Sequence, residues 1–111
     1  MPYDDDLANR LRELLGADPT IAERKMFGGL VFLLNGNMSV SASRRGGLLV
    51  RVDPRDAPKL LERPHVETMH MRGRSMANFL YVAPEAVRTK RQLASWVKRS
   101  VDFAATLPPK R

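Results

Sequence analysis

Residues 25–43 read KMFGGLVFLLNGNMSVSAS, and the fold is decided there. Asn35-Gly36 tolerates the positive φ angles of a type I′ turn, and it sits between an unbroken apolar run at 30–34 and an alternating stretch at 38–43. The reading is a β-hairpin. Before it, residues 21–27 lead into the sheet through Gly28-Gly29, where a bulge or a close backbone approach is expected. After it, Arg44-Arg45-Gly46-Gly47 marks a turn. Leu48, Val50 and Val52 then alternate with Leu49 and Arg51 in a strand that stops at Asp53-Pro54.

Working outward, Leu7, Leu11, Leu14 and Leu15 recur at helical spacing, with acidic residues before them and Gly16 after them, which predicts a helix over about 4–15. Ala57, Leu60 and Leu61 predict a second helix of about two turns within 56–63, ended before Pro64. Residues 66–71 alternate and 78–83 are rich in β-formers, so two strands bracket Arg72-Gly73-Arg74-Ser75. From Pro84 onward, Val87, Leu93, Trp96, Val97, Val101 and Ala104 form the apolar stripe of the longest helix, which closes at Leu107-Pro108-Pro109. The order is helix, three or four strands, helix, two strands, helix. It implies a two-layer α+β domain, an antiparallel sheet of five to six strands with helices mainly on one face. The expected limits are one domain over 1–107 and a short basic, disordered tail at 108–111.

The chain has 111 residues, enough for a single core, and no cysteine, which excludes disulfides, thiolate metal sites and a thiol nucleophile. The acidic start and the absence of a long apolar run argue against a signal peptide or a membrane span, so a cytoplasmic protein is expected. The net charge of +7 is unevenly placed. Residues 1–71 balance at ten basic and ten acidic side chains, whereas 72–111 carry nine basic and two acidic. Such an excess is a candidate polyanion-binding face, with Arg72, Arg74, Arg88, Arg91, Lys98 and Arg99 as its residues; the competing reading is a solvated, basic helix surface.

Catalytic machinery is not legible. Ser39, Ser41 and Ser43 read as solvated strand residues outside any nucleophile elbow, and no serine has a His–Asp pair nearby in sequence. His65 and His70 are the only imidazoles, too few for a zinc site without cysteine, and Asp4-Asp5-Asp6 is explained by the helix dipole. Gly28-Gly29 fits no nucleotide-binding loop. Met69, Met71, Met76 and Trp96 read as core. The expectation is therefore no catalytic residue, no metal and no cofactor.

Lys25-Met26-Phe27-Gly28-Gly29, Asn35-Gly36, 48–52, Gly73-Arg74-Ser75-Met76, Tyr81-Val82 and Trp96-Val97 with Leu107-Pro108-Pro109-Lys110 resemble, in that order, the N-terminal domain of the TfoX/Sxy family. The resemblance implies a small α+β domain similar to the secretion-chaperone-like folds. It also implies a bacterial regulatory module, since TfoX/Sxy proteins are regulators of competence for DNA uptake. The longer regulators continue into a separate C-terminal domain, so a stand-alone N-terminal-type domain is expected here. The family supplies no catalytic residues to carry over, and Lys25, Met26, Phe27, Gly28, Gly29, Asn35 and Gly36 are expected to be structural. The leading functional expectation is a non-enzymatic module acting through a protein partner. The alternatives are direct nucleic-acid binding and, third, a small enzyme of unassigned type. A homodimer, if formed, would use an uncovered sheet face or edge.

Overall fold

The computed structural model describes residues 3–71 and 74–110, and for Met71 and residues 74–77 the backbone alone. Helix α1 (Asp5–Leu15) is followed by strands β1 (Ile21–Met26), β2 (Gly29–Leu34), β3 (Asn37–Ala42) and β4 (Leu48–Arg51). Then come the one-turn helix α2 (Ala57–Leu60), strands β5 (Val66–Met71) and β6 (Arg74–Val82), and helix α3 (Lys90–Ala104). The six strands form one antiparallel sheet in the order β1-β2-β3-β4-β6-β5. The fold is α+β, as expected.

Local chemistry explains most element boundaries. Asp4 caps α1 by accepting hydrogen bonds from the amides of Asp6 and Leu7, which leaves Asp5 and Asp6 in the first turn against the positive end of the helix. The apolar stripe begun at Pro84 is interrupted: Pro84–Ala86 is a short 3₁₀ turn, and α3 starts only at Lys90. Thr89 and Gln92 make the reason plain, because they form a reciprocal capping box, worth about 1 kcal/mol, that fixes the helix start there.

Leu7, Leu11 and Leu15 from α1, with Leu93, Trp96 and Val97 from α3, pack on Leu30, Phe32, Val40, Leu48, Val50, Leu80 and Val82 from one face of the sheet. Each of these side chains is almost fully buried, which at about 25 cal/mol per Å² of apolar surface makes this layer the main source of stability.

Three expectations are corrected. Gly28 is not in a bulge: Phe27 and Gly28 are the two central residues of a tight β1–β2 turn, with φ of 55° and 75°, closed by the Met26–Gly29 pair. The close approach, the other expectation for Gly28-Gly29, is present at Gly29, where an added Cβ would stand 2.5 Å from the Ala42 carbonyl oxygen. The serines are not solvated either. Ser39, Ser41 and Ser43 are all buried, and Ser39 owes this to a register shift between Phe32 and Leu33 that places it and Val40 together on the helix side. There the fully buried Ser100 hydroxyl of α3 donates to the Ser39 carbonyl at 2.8 Å, and the two hydroxyls lie 2.8 Å apart. Finally, the tail is anchored: Pro108 accepts from the Asn37 side chain and the Lys110 amide donates to Asn35, both on the β2–β3 turn.

Candidate interaction surface

Strand periodicity assigns the second face of the sheet. If Leu30, Phe32, Val50, Leu80 and Val82 point to the helices, then Val31, Leu33, Leu49, Arg51, Phe79 and Tyr81 point away from them. Register carries this face across the sheet in one row: Arg24 opposite Val31, Val31 opposite Ser41, Ser41 opposite Leu49, Leu49 opposite Tyr81 and Tyr81 opposite Glu67. The three described helices all pack on the other side. Val31 (1% exposed) and Tyr81 (6%) are nonetheless buried on this uncovered face, and Leu49 and Phe79 are half-buried. A row of apolar side chains that no helix covers is unusual for an ordinary solvated surface.

The face has two halves of different electrostatic character. Toward the β3–β4 turn, the Arg45 guanidinium lies 4.0 Å from the centre of the Tyr81 ring and pairs with Glu67 at 3.0 Å, so its charge is satisfied within the chain. Phe27 stands beside this pair at the tip of the β1–β2 turn. It is 53% exposed and held at a positive φ that costs a residue with a side chain about 1–2 kcal/mol. Phe27, Arg44, Arg45, His70 and Tyr81 border a shallow concavity of about 450 Å³.

Toward the β2–β3 turn lies a larger concavity of about 600 Å³, bordered by Arg24, Arg51 and Lys110 over Leu33, Met38 and Phe79. Among the described residues no acidic side chain lines it. Arg51 sits over Phe79 at 5.3 Å, and one terminal nitrogen reaches the Met38 carbonyl at a marginal 3.5 Å. Its Nε is buried with no hydrogen-bond partner among the described residues, and burial pulls the guanidinium pKa downward. Sequence alternation places Arg51 on this face, but nothing in the local sequence marks it as deprived of a partner.

The basic residues singled out in the sequence do not form one uniform patch. Arg72 lies outside the described residues, and Arg74 opens strand β6 rather than standing in a loop, with its side chain undescribed. Arg88 and Arg91 are exposed near the start of α3, where the Arg10 side chain donates to the Arg88 and Thr89 carbonyls. Lys98 pairs with Asp102 at 2.8 Å, and both border, with Arg99, a depression that also contains Asp53 and Asp56. Arg91 and Arg99, both on α3, are separated by about 12 Å along the helix axis at 1.5 Å per residue. His65 precedes β5 while His70 is near its end, about 16 Å apart in extended chain. Among the described residues no three His, Asp or Glu side chains gather as a metal site would require.

Phe27-Gly28 and Asn35-Gly36 each supply consecutive positive φ angles at turns, and Gly29 lets β2 approach β3. Lys25 and Met26 complete strand β1.

The geometry defines a class first: a small α+β domain with one sheet face sealed by helices and the other left open. Residues 13–104 match the TfoX N-terminal domain, and the chain belongs to that family. A comparison with curated proteins finds no match. No described helix is long and apolar enough to cross a membrane.

Proposed function

We propose that this TfoX-type domain is a cytoplasmic regulatory module that acts by docking a protein partner on the open face of its sheet, with no chemistry of its own. The observation that carries the reading is the row Val31, Leu49, Phe79 and Tyr81, apolar side chains gathered on a face away from every described helix. Leu49 and Phe79 are only half-buried and Phe27 is exposed, so covering this face with a partner removes their apolar surface from water, which is the dominant favourable term in association. The test is photo-crosslinking in the cells that encode the chain, with a photoreactive amino acid at position 49 on the open face or at position 91 on α3. A discrete protein adduct from position 49 and none from position 91 is expected; equal labelling from both positions, or no protein adduct from position 49, refutes the reading.

Direct nucleic-acid binding is the second reading, and its support is the exposure of Arg88 and Arg91 near the start of α3, away from any described ion pair. Fluorescence anisotropy with labelled DNA and RNA at two salt concentrations measures it. Affinity that falls steeply with salt and weakens in Arg88→Ala and Arg91→Ala supports it, and no binding at low salt removes it.

A further inference from the structure

We propose that the concavity between Arg24, Arg51 and Lys110 seats an acidic side chain of the partner protein, an Asp or Glu flanked by large apolar residues. This inference rests on the docking face argued above and names the chemistry which that face reads.

Three observations carry it. Among the described residues the concavity is bordered by three cationic side chains and no acidic one, while its floor contains Leu33, Met38 and Phe79. A ligand must therefore be both anionic and apolar to satisfy wall and floor together. Arg51 also differs from Arg45 on the same face: Arg45 has Glu67 and the Tyr81 ring, whereas Arg51 has a ring and one 3.5 Å contact to a carbonyl, with Nε unmet among the described residues. The buried Nε is out of a partner's reach, but a guanidinium fork also takes a carboxylate end-on through two parallel hydrogen bonds from its terminal nitrogens, so a carboxylate is the group that suits this half-buried side chain. The size fits as well, since about 600 Å³ is the volume of a site for a few side chains rather than a single ion.

The alternatives fit less well. A second copy seated with this concavity on the two-fold axis would bring Arg24 and Arg51 against the same cations, and like charges at close range oppose association. A nucleic-acid strand needs a track of cations along its phosphates and free aromatic faces for its bases, yet Phe79 already lies under Arg51.

The crosslinking chain with its photoreactive residue at position 49 supplies the test, carried in wild-type, Arg51→Met, Arg51→Lys and Arg24→Gln backgrounds. The expected result is a protein adduct that falls by about tenfold or more in Arg51→Met, less in Arg51→Lys, and by about threefold in Arg24→Gln. Mass spectrometry of the attached segment is expected to show Asp or Glu beside Leu, Ile, Phe or Met. Melting curves separate lost docking from lost folding, and Arg24, exposed on edge strand β1, keeps the comparison available should Arg51→Met not fold. An adduct undiminished in Arg51→Met and Arg24→Gln, or a segment without an acidic residue, overturns the inference and leaves the docking face standing. An adduct with a second copy or with nucleic acid overturns the choice of occupant. No adduct from position 49 in any background overturns the docking face and this inference with it.

Discussion

Replacing Arg51 by methionine is expected to make the free protein more stable while removing its capacity to dock. The stability part can be worked from the structure. In the folded chain the Nε is buried without an acceptor, an arrangement that costs about 1–3 kcal/mol for a wholly enclosed donor and less here because the side chain is only half-buried. The 5.3 Å stacking over Phe79 returns about 0.5–1 kcal/mol. Methionine keeps an unbranched apolar stem over the Phe79 ring, adds a favourable sulfur–aromatic contact and has no charge to desolvate. The balance is a gain of about 1 kcal/mol, which for a domain of this size raises the melting temperature by about 4–6 °C. Thermal and urea denaturation followed by circular dichroism read it directly. A fall of about 1 kcal/mol or more would show that Arg51 supports the fold, and the argument that its charge is held for a partner would fail.

Removal of the Ser100 hydroxyl in Ser100→Ala is expected to cost about 1–3 kcal/mol, because it strands the buried Ser39 carbonyl; Ser39→Ala should cost less, since Ser100 keeps that carbonyl as acceptor. The double variant should match Ser100→Ala alone in urea denaturation, and equal costs for the two single changes would contradict this order. Gly36→Ala combines a φ of 84° with a clash against the Lys110 carbonyl, so it should lower stability by about 1–2 kcal/mol and speed hydrogen exchange at the Lys110 amide, which is bonded to Asn35; unaltered exchange would mean the tail is not held there. Glu23 accepts a two-pronged hydrogen bond from Arg12, which holds its carboxyl below the usual glutamate range and ties β1 to α1. A lowered folded pKa contributes stability above the ordinary glutamate pKa that is lost as pH falls through that value toward the folded one. Glu23→Gln should therefore flatten the acid side of the stability–pH curve slightly, as suits an exposed pair, and an unchanged slope would count against the pairing.

Much of the fold was legible in local chemistry. Asn35-Gly36 demanded a turn because few other dipeptides accept φ of 50° and 84° in succession, and the 48–52 alternation correctly divided Leu48 and Val50 from Leu49 and Arg51. The α1 boundaries followed from an acidic cap and leucine spacing. Thr89 and Gln92 were a readable capping box that the apolar stripe from Pro84 obscured.

What stayed hidden depended on residues distant in sequence. Gly28-Gly29 reads equally as a bulge or a turn until β1 is seen to pair with β2, and the burial of Ser39 required one extra residue against Phe32, a shift no alternation pattern announces. Charge followed the same logic. The sequence alone determined how many cations the chain carries and where they fall along it, together with the turns, caps and strand faces set by near neighbours. Only tertiary structure decided which acid stands beside which cation across elements: Arg12 received Glu23 and Arg45 received Glu67, while Arg51 was brought against Phe79 with no carboxylate side chain paired to it among the described residues. The physical reason is range, since backbone conformation is set within a few residues, whereas pairing and desolvation depend on chain segments that meet only when the sheet closes.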